Sequence, residues 1–364
     1  FNCLFLIDLL FMKSFHLKSS LIIALIASTI MLGAWEMYWR SKPDMYLAGI
    51  EDDRYFWSEH RARVEKAGQE DVIIIGSSRT GFNIMTHSWK EVQGVDPIKL
   101  AIDGKPPGPV LEDIVMKTDF NGTLVVGVAP ALFFSSKSSS RWQGAQQWVD
   151  HYHNQTYAQK LGHYLSKPLQ RNLVMLTSSE LEFYNDLDLK SLLARFNTPD
   201  ARTGNNWSLY KFGYLDEQRN IIMLDKMTEE PEFAKKITDA WASFLPYIPK
   251  YNEDIEKSVS EQIDFYETLI EKFKSRGGRI IFIRHKSEKQ WNDPFQELLP
   301  RQQVYDKFIQ TVDCPSYHFG DYPFMNKYTL PDWSHMTSDD AANYTRDLAN
   351  KLIEDGHLKR ASNN

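Results

Sequence analysis

Apolar residues along this chain occur in short runs that alternate with longer amphipathic stretches. The short runs are rich in β-branched residues, and most of them end at Gly, Asp or Pro, which is typical of buried strands. Residues 109–117, 253–275 and 337–354 repeat apolar positions at helical spacing. Strands that alternate with helices predict an α/β fold, here a three-layer α/β/α arrangement with a mostly parallel sheet. The predicted strands are residues 71–76, 97–102, 123–129 and 279–284.

An uncharged apolar run near the N-terminus, residues 19–35, is close to the minimum length for a helix that spans a bilayer. Trp35, Tyr38 and Trp39 follow it, and such rings favour the headgroup layer of a membrane. We therefore predict a retained transmembrane anchor over residues 19–39. The alternative is a secretory signal that is removed, and both alternatives export the rest of the chain.

Basic residues flank this run on both sides, with a slight preference for an inside N-terminus. Residues 1–18 are then a cytoplasmic segment, and residues 40–360 form one large domain across the membrane. Met12 is typical of a natural start, so we expect residues 1–11 to be an artefact and exclude them from the fold prediction. The flanking charges are Lys13 and Lys18 before the run and Arg40 and Lys42 after it.

The pattern changes between about residues 133 and 252, where the sequence is aromatic-rich and biased towards helix without clear strands. We predict a helical insertion here. Its aromatic rings either stack on sugar faces in a cleft or pack in an ordinary core, and packing is the more common role of such rings. The rings are Trp142, Trp148, Tyr152, Tyr157, Tyr164, Trp207, Tyr210, Trp241 and Tyr247.

The composition limits the classes to which the protein belongs. A chain of 364 residues with 42% apolar and 13% aromatic content can bury one large core. A net charge of -6 provides no basic field, which argues against nucleic acid as a partner. Cys3 and Cys314 are too few for a disulfide framework, and no Cys and His cluster has the spacing of a zinc site. We predict neither a metal nor a cofactor.

The first predicted strand runs into Gly76, Ser77 and Ser78, and a helix is expected to begin at Ser78 or Arg79. A hydroxyl at a helix N-terminus meets oriented N–H groups and the positive end of the helix dipole, which favours nucleophilic attack and stabilises an oxyanion. The alternative is an ordinary strand-to-helix turn with a serine cap. The turn alone does not decide between them.

A second element, Asp332-Trp-Ser-His335, lies near the C-terminus directly before the last predicted helix. In a loop, this spacing lets the carboxylate return to Nδ1 of the imidazole and leaves Nε2 free to take a proton from a serine. Thr337 and Asp340 then predict a capping box that pins the loop against the helix start. An isolated Asp-x-x-His is more often structural, but together with the serine turn it favours catalysis.

These two elements resemble the SGNH/GDSL hydrolase superfamily, and the resemblance covers about half of the chain. The family's Gly-Asp-Ser block is similar to Gly76-Ser77-Ser78, and its late Asp-x-x-His block corresponds to Asp332 and His335. The resemblance implies a flavodoxin-like α/β/α fold with Ser78 as nucleophile, His335 as base and Asp332 as the group that orients it. It also implies an oxyanion N–H donor after the second strand, at Gly104.

Two departures from the family pattern affect the expected activity. Ser77 stands where the family has Asp, and residues 127–130, GVAP, stand where it has Gly-x-Asn-Asp, so the asparagine donor is missing. A Gly-Ser-Ser block with an N-terminal anchor is similar to the protein that transfers D-alanine onto teichoic acids and to alginate O-acetylation proteins. That subset acts at the outer face of the bacterial cell membrane, towards the periplasm or cell envelope.

The resemblance implies a serine esterase or O-acyltransferase that acts on an acylated envelope glycan or takes its acyl group from a carrier. The rival hypothesis is an inactive relative that binds an envelope polymer or an assembly partner. Ser77 and Arg79 are further candidate oxyanion or substrate-binding residues. Arg284, at the end of the fourth predicted strand, either holds an anionic substrate group or simply leaves the core for solvent.

Overall fold

A computed structural model describes residues 2–41, 48–176 and 211–361. The strands are β1 (Val72–Ile75), β2 (Ile98–Lys99), β3 (Thr123–Gly127), β4 (Gly213–Leu215), β5 (Ile221–Met223), β6 (Arg279–Arg284) and β7 (Ser316–His318). Five of them form one parallel sheet in the order β2-β1-β3-β6-β7, and β4 and β5 form an antiparallel hairpin. When the five strands of the sheet are numbered by themselves, the order is 2-1-3-4-5, a doubly wound arrangement whose switch point lies between β1 and β3.

Helices cover both faces of this sheet, so the predicted α/β fold with a parallel sheet is confirmed. Successive residues of a strand point to opposite faces: Ile73 and Ile75 join one apolar cluster, and Val72 and Ile74 join the other. The helices are α1 (Asn2–Arg40), α2 (Arg54–Arg63), α3 (Ser78–Asn83), α4 (Thr86–Gln93), α5 (Gly108–Lys117), α6 (Pro130–Phe133), α7 (Ser140–Asn154), α8 (Tyr157–Asn172), α9 (Lys226–Glu229), α10 (Pro231–Phe244), α11 (Glu253–Ser275), α12 (Lys289–Leu298), α13 (Lys307–Val312), α14 (Pro323–Asn326) and α15 (Ser338–Glu354).

The two faces of the sheet carry different sets of helices. Side chains of α2, α5, α7, α11 and α13 pack on one face, and those of α4, α14 and α15 pack on the other. All four predicted strands lie in the sheet, and the predicted helices over 109–117, 253–275 and 337–354 agree with α5, α11 and α15 to within one residue at each end. The edge strand β7 was not predicted.

The segment from 133 to 252 is only partly as expected. Helices α7, α8, α9 and α10 lie within it, but so does the hairpin of β4 and β5, where no strand was predicted. Trp142 and Trp148 are buried, as packing requires, whereas Tyr157 and Tyr247 are exposed. Two of the aromatic residues noted in the sequence, Trp207 and Tyr210, lie outside the described residues.

The N-terminal helix α1 contains an apolar stretch, Leu17–Arg40, with a mean hydropathy of 1.8. Its 24 residues rise about 36 Å, enough for the hydrocarbon core of a bilayer. The apolar side chains between Leu17 and Leu32 are exposed. By length and composition this helix is apolar enough to cross a membrane, as membrane anchors and signal sequences are.

Candidate active site

The turn after β1 begins the candidate site. Helix α3 starts at Ser78, as predicted, and Ser77 occupies the position before it. The Ser77 side chain makes no capping hydrogen bond and is buried, so the serine-cap interpretation is wrong for this residue. Ser78 is partly exposed, and its hydroxyl makes no hydrogen bond within residues 48–176 and 211–361. Of the two adjacent serines, Ser78 is thus the more exposed.

Thr80 packs this turn tightly against the sheet. A Cβ atom placed on Gly76, at the end of β1, or on Gly127, at the end of β3, would overlap the Thr80 side chain. Thr80 Oγ1 also lies 3.5 Å from His285 Nε2, beyond the end of β6. The two glycines therefore let α3 begin directly over the carboxyl ends of the central strands, where doubly wound proteins bind ligands.

The Asp332–His335 loop forms the second part of the site. Asp332 Oδ2 lies 2.6 Å from His335 Nδ1, and Asp332 Oδ1 accepts hydrogen bonds from the backbone N–H groups of His335 (2.7 Å) and Ser334 (3.1 Å). Burial raises the pKa of Asp332, but the imidazole and these N–H groups outweigh it, so the pKa lies below its ordinary value. Both side chains are buried. An ionised Asp332 thus fixes the orientation of the ring.

A turn with unusual backbone geometry holds this loop in place. Trp333 has φ +70°, a left-handed conformation that is uncommon for an aromatic residue, and its carbonyl accepts from Glu288 N–H at 2.9 Å. Thr337 Oγ1 accepts from Asp340 N–H at 3.3 Å, which is one half of the predicted capping box. The Asp340 side chain contacts Thr329 Oγ1 at 3.4 Å instead.

Three contacts join α3 to this loop across about 250 residues of sequence. Arg79 Nε donates to Ser334 Oγ at 3.0 Å, and Asn83 Oδ1 accepts from Met336 N–H at 3.0 Å. The Phe82 ring lies 4.4 Å from the His335 ring, centre to centre. Ser78 and Phe82 are four residues apart and share one face of the helix. The fold therefore brings the segment that begins with Ser78 to the imidazole.

The second ring nitrogen of His335, Nε2, is not used by the contact with Asp332. His335 Nε2 is buried and has no hydrogen-bond partner in the part of the chain that the structure describes. No hydrogen bond therefore joins it to Ser78 Oγ in this conformation. A buried polar atom without a partner costs free energy, and a catalytic role is one of the explanations for such an atom.

Two guanidinium groups lie beside these residues without a carboxylate partner among the described residues. Arg79 is buried, with its guanidinium 5.9 Å from the centre of the Trp291 ring. Arg284 is buried as well, so the expectation that it leaves the core for solvent is wrong. It donates to the His285 carbonyl at 2.7 Å and lies 3.3 Å from Asn292 Oδ1. Burial lowers the pKa of Arg79 to about 10, and that of Arg284 well below its usual value.

Gly104 lies in the loop that follows β2, next to the serine turn. Ile102 N–H donates to the Gly76 carbonyl at 3.1 Å, which ties this loop to the end of β1. Gly104 has φ +62° and has open space where a side chain would be, and its carbonyl accepts from Arg141 at 3.3 Å. The loop is thus placed near Ser77 and Ser78, and glycine suits its left-handed conformation.

His285 is a residue that sequence reasoning missed. It directly follows β6, it is buried, and its Nδ1 lies 2.9 Å from the Tyr344 hydroxyl. Its partner Thr80 is buried too, so this pair has no open hydroxyl to present to a substrate. A histidine at the carboxyl end of a buried strand was the available signal, but nothing in the sequence connects it to Thr80 or Tyr344.

Buried histidines make the stability of this protein dependent on pH. Burial, aided by nearby positive charges, lowers the pKa of His60, His285 and His318 to about 3 each. Between pH 6.5 and about 3, these histidines bind protons in the unfolded chain but stay neutral in the folded chain. The free energy of unfolding therefore falls as the pH falls through that window. Each such histidine contributes a slope of about 1.4 kcal/mol per pH unit.

We expect His285→Gln to make the acid branch of this curve shallower, as followed by urea unfolding between pH 7 and 4. His87→Gln, which changes an exposed histidine, is the matched control and should leave the slope as it is. Equal slopes in His285→Gln and the unsubstituted chain would contradict the assignment of the acid sensitivity to this buried ring.

No protein-family model matches the chain, and no curated protein matches it. Within residues 2–41, 48–176 and 211–361, no group of three or more His, Cys, Asp or Glu side chains is arranged to hold a metal ion. What the site offers is a partly exposed serine at a helix start, a buried Asp–His pair with a free nitrogen, and two nearby guanidinium groups.

Proposed function

We propose that this protein is a serine acyl hydrolase or acyltransferase of the SGNH type, with Ser78, His335 and Asp332 as its catalytic residues. The observation that carries the proposal is the 2.6 Å contact between Asp332 Oδ2 and His335 Nδ1, beside an unpartnered Nε2 and the helix that begins at Ser78. The doubly wound strand order supports it as well.

In the proposed reaction, Ser78 Oγ attacks the carbonyl carbon of an acyl ester or thioester while His335 Nε2 takes the hydroxyl proton. Asp332 holds the imidazolium through Nδ1–H. Backbone N–H groups near Ser78 and Gly104 stabilise the oxyanion. The leaving group departs with the proton from Nε2, and an acyl-enzyme remains on Ser78. A second oxygen nucleophile then attacks the acyl carbon and gives its proton to Nε2. As the bond from that carbon to Ser78 Oγ breaks, the proton passes from Nε2 to Oγ. Water gives hydrolysis, and a sugar hydroxyl gives transfer.

The charges around the site favour a substrate with a negative group near the reacting ester. Arg79 and Arg284 are buried and form no ion pair with a carboxylate among the described residues, although the charge of Asp332 acts on Arg79 and raises its pKa against the effect of burial. Guanidinium groups bind carboxylate and phosphate well. We therefore propose an anionic acylated envelope glycan, or an anionic acyl carrier, as the substrate.

We further propose that α1 anchors the chain in a bacterial cell membrane, with the sheet domain on the extracytoplasmic side. The exposed apolar stretch Leu17–Arg40 supports this, and so do contacts that its last turn makes with the folded domain. Such contacts are typical of a retained segment, since a signal that is removed has no folded partner to hold.

The second candidate function is an inactive scaffold that binds an envelope polymer or an assembly partner through the same fold. Two observations favour it: residues 127–130 lack the asparagine of the family pattern, and His335 Nε2 makes no hydrogen bond to Ser78. Hydrogen bonds between catalytic groups often tighten only when substrate binds, so the second observation fits both functions.

A fluorophosphonate probe separates the two functions, because it reacts covalently with an activated serine. We expect the full chain in detergent to be labelled, and Ser78→Ala and His335→Ala each to abolish labelling. Ser78 is only partly buried, so Ser78→Ala should also leave the melting temperature close to that of the unsubstituted chain. Ser136→Ala, in an exposed loop, should be labelled normally. A full chain that resists the probe, or labelling that survives Ser78→Ala, would count against the catalytic proposal.

A further inference from the structure

Helix α8 (Tyr157–Asn172) turns its apolar face away from the protein. None of its side chains is buried, although the helix is strongly amphipathic in sequence. Tyr157 is 91% exposed, Tyr164 74% and Leu165 58%. A water-facing stripe of this kind is unfavourable, and exposed apolar patches usually mark an interaction surface. We call the stripe the apolar face of α8, and it comprises Tyr157, Leu161, Tyr164, Leu165 and Leu169.

The opposite, polar face of α8 holds the helix on the domain. His163 Nε2 lies 3.1 Å and Lys167 Nζ 2.8 Å from the carboxylate of Glu59 in α2. Lys167 and Arg171 also pair with Glu217, near the β4–β5 hairpin. Ion pairs on the polar face therefore set the orientation of α8, and they leave the apolar face of α8 exposed to solvent.

The end of α8 is joined to the end of the apolar helix α1. The Glu36 carboxylate accepts from the backbone N–H groups of Val174 and Met175, at 2.9 Å each. Arg40 donates to the Asn172 carbonyl at 2.5 Å, and the buried Trp39 ring packs with Val174. The C-terminal end of the apolar face of α8 thus lies beside the end of the proposed transmembrane helix.

We propose that α8 lies in the headgroup layer of the membrane that holds α1, with its apolar face against the acyl chains. The proposal rests on the proposed anchoring by α1. A helix that ends at the point where a span leaves the bilayer, and that carries three leucines and two tyrosines on one face, matches the chemistry of an interfacial helix. Lys160, which is exposed, can reach lipid phosphates from the edge of this face.

A domain that is held to the membrane at two places has a more restricted orientation than a domain that is held at one. A single span lets the domain rotate about the membrane normal and tilt, whereas a surface helix of about 24 Å restricts the tilt. The sheet and the candidate active site would then keep a set height and direction relative to the bilayer, which suits a substrate or acyl donor held at the membrane.

Lipid quenching of a fluorophore on the full chain tests the proposal. In a thiol-free background, with Cys3→Ser and Cys314→Ser, a polarity-sensitive dye is attached through Leu165→Cys, and the chain is reconstituted in phosphatidylglycerol and phosphatidylethanolamine vesicles with nitroxide-labelled lipid. Met116→Cys on α5 is the matched control, since Met116 is 48% exposed and lies on a helix that packs against α7 and α11. Neither substitution removes a buried side chain.

We expect blue-shifted emission and loss of fluorescence to nitroxide lipid at residue 165, and neither change at residue 116. Chain that stays in the membrane fraction after alkaline washing, with no quenching at residue 165, would overturn the placement of α8 and leave the anchor intact. A blue shift without lipid quenching would also overturn it, because the dye would then be covered by residues 177–210 or by a second copy of the chain instead of by lipid. Chain released by the wash would overturn both proposals.

Discussion

Asp332→Asn is expected to lower the turnover of an activated acyl ester by about four orders of magnitude, as the same change does in serine hydrolases with this triad. An amide still accepts from the backbone N–H groups of Ser334 and His335. It does not stabilise the imidazolium, and it favours the tautomer in which Nε2 already carries a proton. The measurement is release of nitrophenol from a nitrophenyl ester by the full chain.

Asp340→Asn is the matched control for this change. It makes the same acid-to-amide substitution in the first turn of α15, where the carboxylate contacts only Thr329 among the described residues, and turnover should stay close to that of the unsubstituted chain. If the two variants turned over equally, whether both fast or both slow, Asp332 would not have the proposed role.

Asp113→Ala is expected to lower the free energy of unfolding by about 3–5 kcal/mol, because it leaves a buried guanidinium with only the half-exposed Glu65 as counter-charge. Arg61 Nε lies 2.5 Å from Asp113 Oδ2, and both side chains are almost fully buried. His153 Nε2 lies 2.6 Å from the other carboxylate oxygen. One carboxylate therefore ties together α2, α5 and α7, and urea unfolding measures its loss.

Glu65→Ala removes the other acidic partner of the same arginine and is the control. Glu65 lies 2.8 Å from Arg61 but its side chain is 49% exposed, so the loss should stay below about 1 kcal/mol. A comparable loss in both variants would show that burial does not set the strength of these ion pairs.

The strands of the sheet could be predicted because their sequences are unambiguous. Runs such as VIII and RIIFIR bury both faces, and Gly76 and Gly277 interrupt the chain where the backbone must turn. Strand β7 could not be predicted, since its three residues, Ser-Tyr-His, follow Pro315 and carry no apolar run. Its pairing with β6 depends on tertiary structure.

Part of the candidate site could likewise be predicted from the sequence, and part could not. The Asp332–His335 contact is local, so a spacing of three residues was enough to predict it. The attachment of α3 to that loop through Arg79 and Asn83 joins distant segments, and no pattern in either segment indicates the partner. Burial of Arg284 was equally hidden, because the sequence of a strand end does not tell what packs over it.

The orientation of α8 shows a further limit of pattern analysis. Periodicity indicates an amphipathic helix, and the usual inference is that the apolar face packs inward. Here Glu59 and Glu217 bind the polar face and turn the apolar face outward. Which face is buried depends on partners elsewhere in the chain.

The central claim is that Ser78 and His335 act on one substrate carbon, and the crystal structure of the full chain with an alkyl boronic acid tests it most directly. We predict a bond from boron to Ser78 Oγ, with His335 Nε2 about 3 Å from that oxygen or from a boronate hydroxyl. Boron bound to another side chain, or an imidazole that stays out of hydrogen-bond reach of the adduct, would contradict it.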